Sequence, residues 1–112
     1  MIGKPSEPRP GWVRDVELPS SLDELRGPTS GVVRLPLRLY WSGPDPQSVE
    51  WDIKLPQRRT RLYEVVLREG NLDDVREFVD GRELVRIWDQ LYLPRWLREA
   101  WSPLIDAARA AA

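Results

Sequence analysis

Two consecutive segments of the chain alternate between apolar and polar residues, which is the pattern of strands with one buried face. The apolar positions of the first segment are Val33, Leu35, Leu37, Leu39 and Trp41. Those of the second segment are Val49, Trp51, Ile53 and Leu55. The sequence that joins them, SGPDPQS, consists of turn-forming residues. The alternation therefore predicts a β-hairpin over about residues 32–55.

The polar residues of the two segments indicate how the outer face of this hairpin is held. We expect Arg34 and Arg38 to form ion pairs with Glu50 and Asp52 on the facing strand. Pro36 cannot donate a hydrogen bond to a neighbouring strand, so its side of the hairpin is predicted to be an edge.

After the hairpin the apolar residues recur every three or four positions, which predicts helices. The first helix begins at Pro56 and ends at Gly70, and Asn71 caps a short second helix. A third helix follows Asp80 and Gly81, and its predicted buried face contains Leu84, Val85, Trp88, Leu91 and Tyr92.

Two prolines mark helix starts in the last part of the chain. Pro94 begins a fourth helix, and Ser102 with Pro103 is predicted to start a further one that runs into the alanine-rich end. The pattern thus predicts four or five short helices over about residues 57–111. The fold class we expect is α+β, with an N-terminal extended arm and a β-hairpin packed on a C-terminal bundle of four or five short helices.

The start of the chain is rich in proline, which fixes φ and removes a backbone donor. It has no helical period, and its prolines are Pro5, Pro8, Pro10 and Pro19. We therefore expect residues 1–20 to form a flexible Pro-rich arm and residues 21–112 to form a single α+β domain. Ser20 or Ser21 is predicted to cap a short helical turn through LDELR.

The stretch NLDDVREFVDGRELVRIWDQL has the layout of a DNA-reading helix-turn-helix, with two amphipathic segments around a glycine. If Gly81 is the turn, Glu77 occupies a position that needs a small residue. If Gly70 is the turn, the reading helix presents Asp73 and Asp74 to the DNA, and carboxylates repel phosphates. We therefore interpret the stretch as two core-forming helices.

Composition removes several kinds of chemistry. The chain has no cysteine and no histidine, so thiolate nucleophiles, cysteine-bound zinc and histidine bases are excluded. We expect no enzymatic activity, no cofactor and no metal. The net charge of −1 gives no overall attraction to nucleic acid or to anionic membranes. No apolar run is long enough to span a membrane and no secretory signal is readable, so a cytoplasmic location is expected.

Two groups of charged residues are candidates for binding. Arg58, Arg59 and Arg61 form the one basic cluster of the sequence and are candidate phosphate contacts, although arginines at a helix start are commonly solvated. Asp73 and Glu77 lie one helical turn apart and could hold a divalent ion. Since no further ligand is in sight, we interpret these two carboxylates as solvated.

The chain contains six tryptophans, which is many for 112 residues. Trp51, Trp88 and Trp101 lie on apolar faces and are predicted to be buried in the core. The other three are harder to bury, and exposed tryptophan is typical of interface hot spots. We therefore predict that the partner-binding residues are Trp12, Trp41 and Trp96.

The sequences LRGPTSGVVRLPLRLYWSGP and RLYEVVLREGNLDDVREFVDGRELVRIWDQLYLPRWLREAW cover Leu25 to Trp101. In this pattern the chain resembles a group of small actinobacterial proteins that are similar to antitoxins or regulators encoded beside nucleotidyltransferase-like toxins. The resemblance implies a toxin–antitoxin or regulatory role and a toxin enzyme as partner. It rests on turn and core residues, so it implies no catalytic residue.

The leading hypothesis is a non-catalytic protein-binding module, in particular an antitoxin that covers the site of a partner enzyme. The alternative is a DNA-binding transcriptional regulator that uses Arg58, Arg59 and Arg61 for phosphates. The third is an enzyme that relies on carboxylates or a metal, for which no constellation of residues is apparent.

Overall fold

The computed structural model describes residues 16–36, 38–39 and 50–111, and within these the chain has an α+β fold. Residues 1–15 of the predicted N-terminal arm lie outside the described residues. The elements are a two-stranded antiparallel ribbon and four α-helices. They are β1 (Val32–Val33), β2 (Trp51–Asp52), α1 (Pro56–Glu69), α2 (Leu72–Phe78), α3 (Gly81–Ile87) and α4 (Arg95–Ala111). The predicted fold class is confirmed at this level.

The ribbon is much shorter than the predicted hairpin. Val32 faces Asp52 and Val33 faces Trp51. The first strand ends at Val33, and a turn follows in which the carbonyl of Pro36 accepts from the amide of Leu39 at 2.9 Å. Alternation still decides which side chains are buried: Val33, Leu35, Leu39, Trp51 and Ile53.

The predictions for the outer face of the ribbon are met in part. Arg34 forms the expected ion pair with Glu50. Arg38 binds Asp74 of α2 instead of the facing strand, because the turn carries it away from β2. Leu55 was expected on the buried face but is 50% exposed, since it is the N-cap of α1 rather than a strand residue. The predicted link between the strands lies outside the described residues, as do Leu37, Trp41 and Val49 of the predicted strands.

Local capping bonds place the helix starts where the sequence predicts them. Ser21 caps a 3₁₀ turn, Leu22–Glu24, by accepting from the amide of Asp23. The first turn of α2 carries a capping box in which Asn71 and Asp74 each accept from the other's amide. Helix α1 begins at Pro56, a position where the backbone N–H has no helical acceptor and proline is therefore tolerated. Gly70 is its C-cap, so both ends of the helix lie where the sequence predicts them.

Two predictions about the C-terminal helices are wrong. The third helix was expected to continue to Tyr92, but α3 ends at Ile87 and is followed by a 3₁₀ turn, Trp88–Gln90. Residues 91–94 have no regular secondary structure, and the backbone of Leu91 is extended, with φ −76° and ψ 135°. The predicted fourth and fifth helices are one continuous helix, α4, with Pro103 in its interior. Trp101 and Ile105 are buried on either side of this proline, so packing holds both halves of α4 against the core.

The core is centred on α1, in which six consecutive residues are buried, from Leu62 to Leu67. A helix with so wide a buried face lies inside the structure rather than on one side of it. The tryptophans predicted to be in the core are buried there: Trp51, Trp88 and Trp101.

A backbone bridge joins the chain before β1 to the junction between α2 and α3. The amide of Gly27 donates to the carbonyl of Val79 at 3.0 Å, and the amide of Gly81 donates to the carbonyl of Leu25 at 2.9 Å. A Cβ atom on Gly27 would lie 2.4 Å from the backbone of Phe78, and one on Gly81 would lie 2.3 Å from the carbonyl oxygen of Leu22. Close backbone approach therefore requires glycine at both positions.

Gly27→Ala and Gly81→Ala should each lower the free energy of unfolding by about 3 kcal/mol, because backbone rather than a flexible side chain must move. Gly31→Ala is the matched comparison, since its φ is +97° but an added Cβ would have nothing within 4 Å. It should lose only about 1–2 kcal/mol through backbone strain. Urea unfolding measures all three variants. Equal losses at the three positions would contradict the close approach.

Candidate functional site

The ring of Tyr92 is the most exposed large apolar side chain of the described residues, at 81%. It lies on the segment 91–94, which begins with an extended residue, between Leu91 and Leu93, which are both buried. In an extended chain successive side chains point to opposite sides, so burial of the two leucines turns Tyr92 outward. The position of this aromatic ring is therefore set by core packing.

The backbone of Tyr92 is fixed to α1 by the buried carboxylate of Glu64. The Oε2 atom of Glu64 accepts from the Tyr92 amide at 2.7 Å. The Oε1 atom lies 3.5 Å from a guanidinium nitrogen of Arg61. One carboxylate thus brings the charge of Arg61 close to the segment that carries Tyr92, although the two residues are far apart in sequence.

Arg98 of α4 holds the same segment from the C-terminal side. Its guanidinium donates to the carbonyls of Leu91 and Trp88 and lies over the ring of Trp88, 4.8 Å from the ring centroid. The carbonyl of Trp88 also accepts from the amide of Leu91, at 3.2 Å, in the 3₁₀ turn that follows α3. Together, Glu64 and Arg98 fix the segment before any partner binds.

Glu64→Ala should lower the free energy of unfolding by about 2 kcal/mol, because it leaves the Tyr92 amide without its acceptor. Glu64→Gln keeps an acceptor oxygen and should lose about half as much. Urea unfolding gives both values, and hydrogen exchange of the Tyr92 amide should quicken far more in the alanine variant. Equal exchange in wild type and Glu64→Ala would show that this hydrogen bond does not hold the segment.

The predicted partner-binding tryptophans remain predictions. Trp96 is partly buried and packs against the core from α4, so part of its surface is open to solvent. Trp12 and Trp41 lie outside the described residues.

The three predicted phosphate contacts are neighbours in sequence but differ in their surroundings. Arg58 is exposed and lies over the ring of Trp51, 4.7 Å from its centroid, with a hydrogen bond of 3.0 Å to the carbonyl of Glu50. Arg61 is half exposed beside Glu64. Only Arg58 and Arg61 therefore present their charges to solvent.

The side chain of Arg59 is largely buried, at 14% exposed, and has structural partners. Its Nε atom forms an ion pair with Glu83 of α3 at 2.8 Å, and its Nη1 atom donates to the carbonyl of Ile53. Hydrogen bonding to Arg86, together with the charge of Arg59, lowers the pKa of Glu83 below 4.5. A phosphate could reach Arg59 only by breaking this network between α1 and α3.

Two buried polar groups among the described residues, the carboxylate of Asp74 and the hydroxyl of Tyr63, take part in contacts that hold the fold. Asp74 accepts two hydrogen bonds from Arg38, each of 2.6 Å, in addition to its place in the capping box. The hydroxyl oxygen of Tyr63 accepts from the amide of Asp80 at 3.1 Å. Burial raises the pKa of this hydroxyl from 10.0 to about 12. Tyr63 is thus protonated in the fold well above neutral pH.

The folded chain keeps the Tyr63 proton between pH 10 and pH 12, whereas the unfolded chain releases it. The free energy of unfolding should therefore fall through this window as the pH rises. The stability advantage of wild type over Tyr63→Phe should be constant below pH 10 and shrink above it. Urea unfolding at several pH values measures this difference. A constant difference up to pH 12 would contradict the shifted pKa.

Asp73 and Glu77 were considered as ligands of a divalent ion. Asp73 forms an ion pair with Arg76 at 3.1 Å. Among the described residues, no group of three acidic side chains converges to hold a metal ion. Within the same residues, no helix combines the length and apolar character that crossing a membrane needs.

Comparisons of the chain with known protein families, curated proteins and solved structures found no match. The candidate site therefore rests on the geometry around Tyr92. Sequence reasoning placed this residue on a buried helical face and missed it. The tetrapeptide LYLP contained the relevant information, because a residue before proline disfavours helix and alternating leucines indicate an extended chain.

Proposed function

We propose that the chain is a non-catalytic protein-binding module and that Tyr92 is a central contact. The observation that carries this proposal is an aromatic ring, 81% exposed, on a segment fixed by Glu64 and Arg98. Tyrosine is enriched among the residues that dominate binding energy. A contact that is already ordered loses little entropy when the complex forms.

An antitoxin is the form of binding module that the sequence resemblance supports. In this proposal the partner is a toxin enzyme, and the chain inhibits it by covering its site. Trp12, Trp41 and Trp96 are the further contacts that we propose, because tryptophan is enriched among the residues that dominate binding energy.

A DNA-binding regulator is the second candidate, and one observation favours it. Only Val79 and Asp80 separate α2 from α3, as in a short helix-turn-helix, and α3 exposes Arg82 and Arg86. Against it, the exposed face of α2 carries the carboxylates of Asp73 and Glu77, and carboxylates repel phosphate. The first candidate is therefore the one we favour.

Site-specific photo-crosslinking in the host cell tests the binding module. A photoreactive phenylalanine derivative at position 92 should crosslink one protein, and the same residue in place of Asp106 on α4 should not. Asp106 is a suitable control because it is exposed and away from the segment of Tyr92 in sequence. Tyr92→Ala should weaken binding of the captured protein by about 2 kcal/mol without lowering the melting temperature.

Two results would count against the proposal. Equal crosslinking at positions 92 and 106 would show that Tyr92 has no special role. Crosslinking to nucleic acid instead of to a protein would favour the DNA-binding regulator.

A further inference from the structure

We propose that Tyr92 and three nearby cations form one docking surface for an acidic peptide segment of a partner protein. The cations are Lys54, Arg58 and Arg61, which we call the cationic stripe. The inference rests on the proposed binding function and specifies the chemistry of the partner: carboxylates for the stripe and an apolar side chain for the ring of Tyr92.

The cationic stripe follows one side of the start of α1. Lys54 precedes the helix by two residues, and Arg58 and Arg61 are three positions apart, so they lie on adjacent turns of one face. All three residues are exposed. A helical rise of about 1.5 Å per residue makes the stripe roughly 10 Å long, which matches a few residues of extended peptide.

The charges of the stripe are poorly compensated within the part of the chain that the structure describes. Arg58 is held by two neutral groups, the ring of Trp51 and the carbonyl of Glu50, which position its guanidinium and leave its charge in place. The ammonium of Lys54 has no ion-pair partner in that part of the chain. Among the described residues, the one ion-pair partner of Arg61 is Glu64, at 3.5 Å.

Glu64 also joins the stripe to the exposed ring. Its carboxylate contacts the guanidinium of Arg61 through one oxygen and the amide of Tyr92 through the other. A peptide that places a carboxylate on Arg61 therefore has Tyr92 within reach of its next side chains. Arginine and tyrosine are residues in which interface hot spots are enriched.

The surroundings of the stripe favour a peptide over nucleic acid. The carboxylate of Glu50 is half exposed, and Asp52 accepts from the backbone amide of Lys54. A nucleic acid carries a negative charge at every phosphate, so some of its phosphates would be repelled by these carboxylates. A peptide can carry acidic residues only at the positions that contact the cationic stripe. The net charge of −1 also gives no long-range attraction for a polyanion.

A titration of the full chain, followed by ¹⁵N NMR, tests this surface. The probes are a short peptide of glutamates with one central leucine, the same peptide with glutamine for glutamate, and a short oligothymidine. The acidic peptide should shift the amide signals around Lys54, Arg58, Arg61 and Tyr92, and its binding should weaken as salt is raised. The glutamine peptide and the oligothymidine should leave these signals unchanged.

Variants of the surface give the quantitative test. Arg58→Gln and Arg61→Gln should each weaken binding of the acidic peptide by about two- to fivefold, the usual range for an exposed ion pair. Tyr92→Ala should weaken it further. Arg82→Gln is the matched control, because Arg82 is exposed on α3 with no ion-pair partner in the described part of the chain. It should leave the affinity unchanged. The weakening of wild-type binding as salt is raised tests the contribution of ion pairs without any substitution.

Three results of the titrations would overturn the inference, and a fourth would come from the free protein. They are equal weakening by Arg82→Gln, shifts by oligothymidine at the stripe, and no shift with the acidic peptide at millimolar concentration. Concentration-dependent shifts of the same signals in the free protein would also overturn it, since a second copy would then occupy the surface. If crosslinking at position 92 still captures a protein, the binding function stands and only the acidic chemistry of the partner is wrong.

Discussion

The backbone bridge between residues 25–27 and residues 79–81 is the constraint on which the arrangement of the other elements depends. It fastens the chain that leads into β1 to the junction of α2 and α3, more than fifty residues away in sequence. The Leu22–Glu24 turn is thereby placed beside α3 and α4. Closing so long a loop costs entropy, and the two glycines allow the backbones to approach closely enough for the bonds that offset it.

Buried carboxylates extend this arrangement to the irregular parts of the chain. Asp74 connects the turn at Arg38 to α2, and Glu64 connects the segment of Tyr92 to α1. In each case a charged group on a helix satisfies donors of a segment that has no regular secondary structure. The shape of the surface around Tyr92 is therefore a product of polar contacts as much as of apolar packing.

The helix starts could be predicted from sequence because capping depends on residues within one turn, as at Ser21 and Asn71. The continuity of α4 through Pro103 could not, because it depends on the packing of Trp101 and Ile105 against the core. The same holds for the candidate site. The cluster of Arg58 and Arg61 is visible in sequence, whereas the burial of Arg59 and the exposure of Tyr92 depend on partners from other elements.

The shared carboxylate of Glu64 makes the two halves of the surface energetically dependent on each other. The order of the segment of Tyr92 and the position of Arg61 both rest on this group, so they share a coupling free energy. Such coupling is reciprocal. A ligand bound to Arg61 would change the free energy that orders the segment of Tyr92. A ligand bound to Tyr92 would in turn change the free energy that positions Arg61. If the proposed surface binds a partner, its two halves would therefore respond together through one buried side chain.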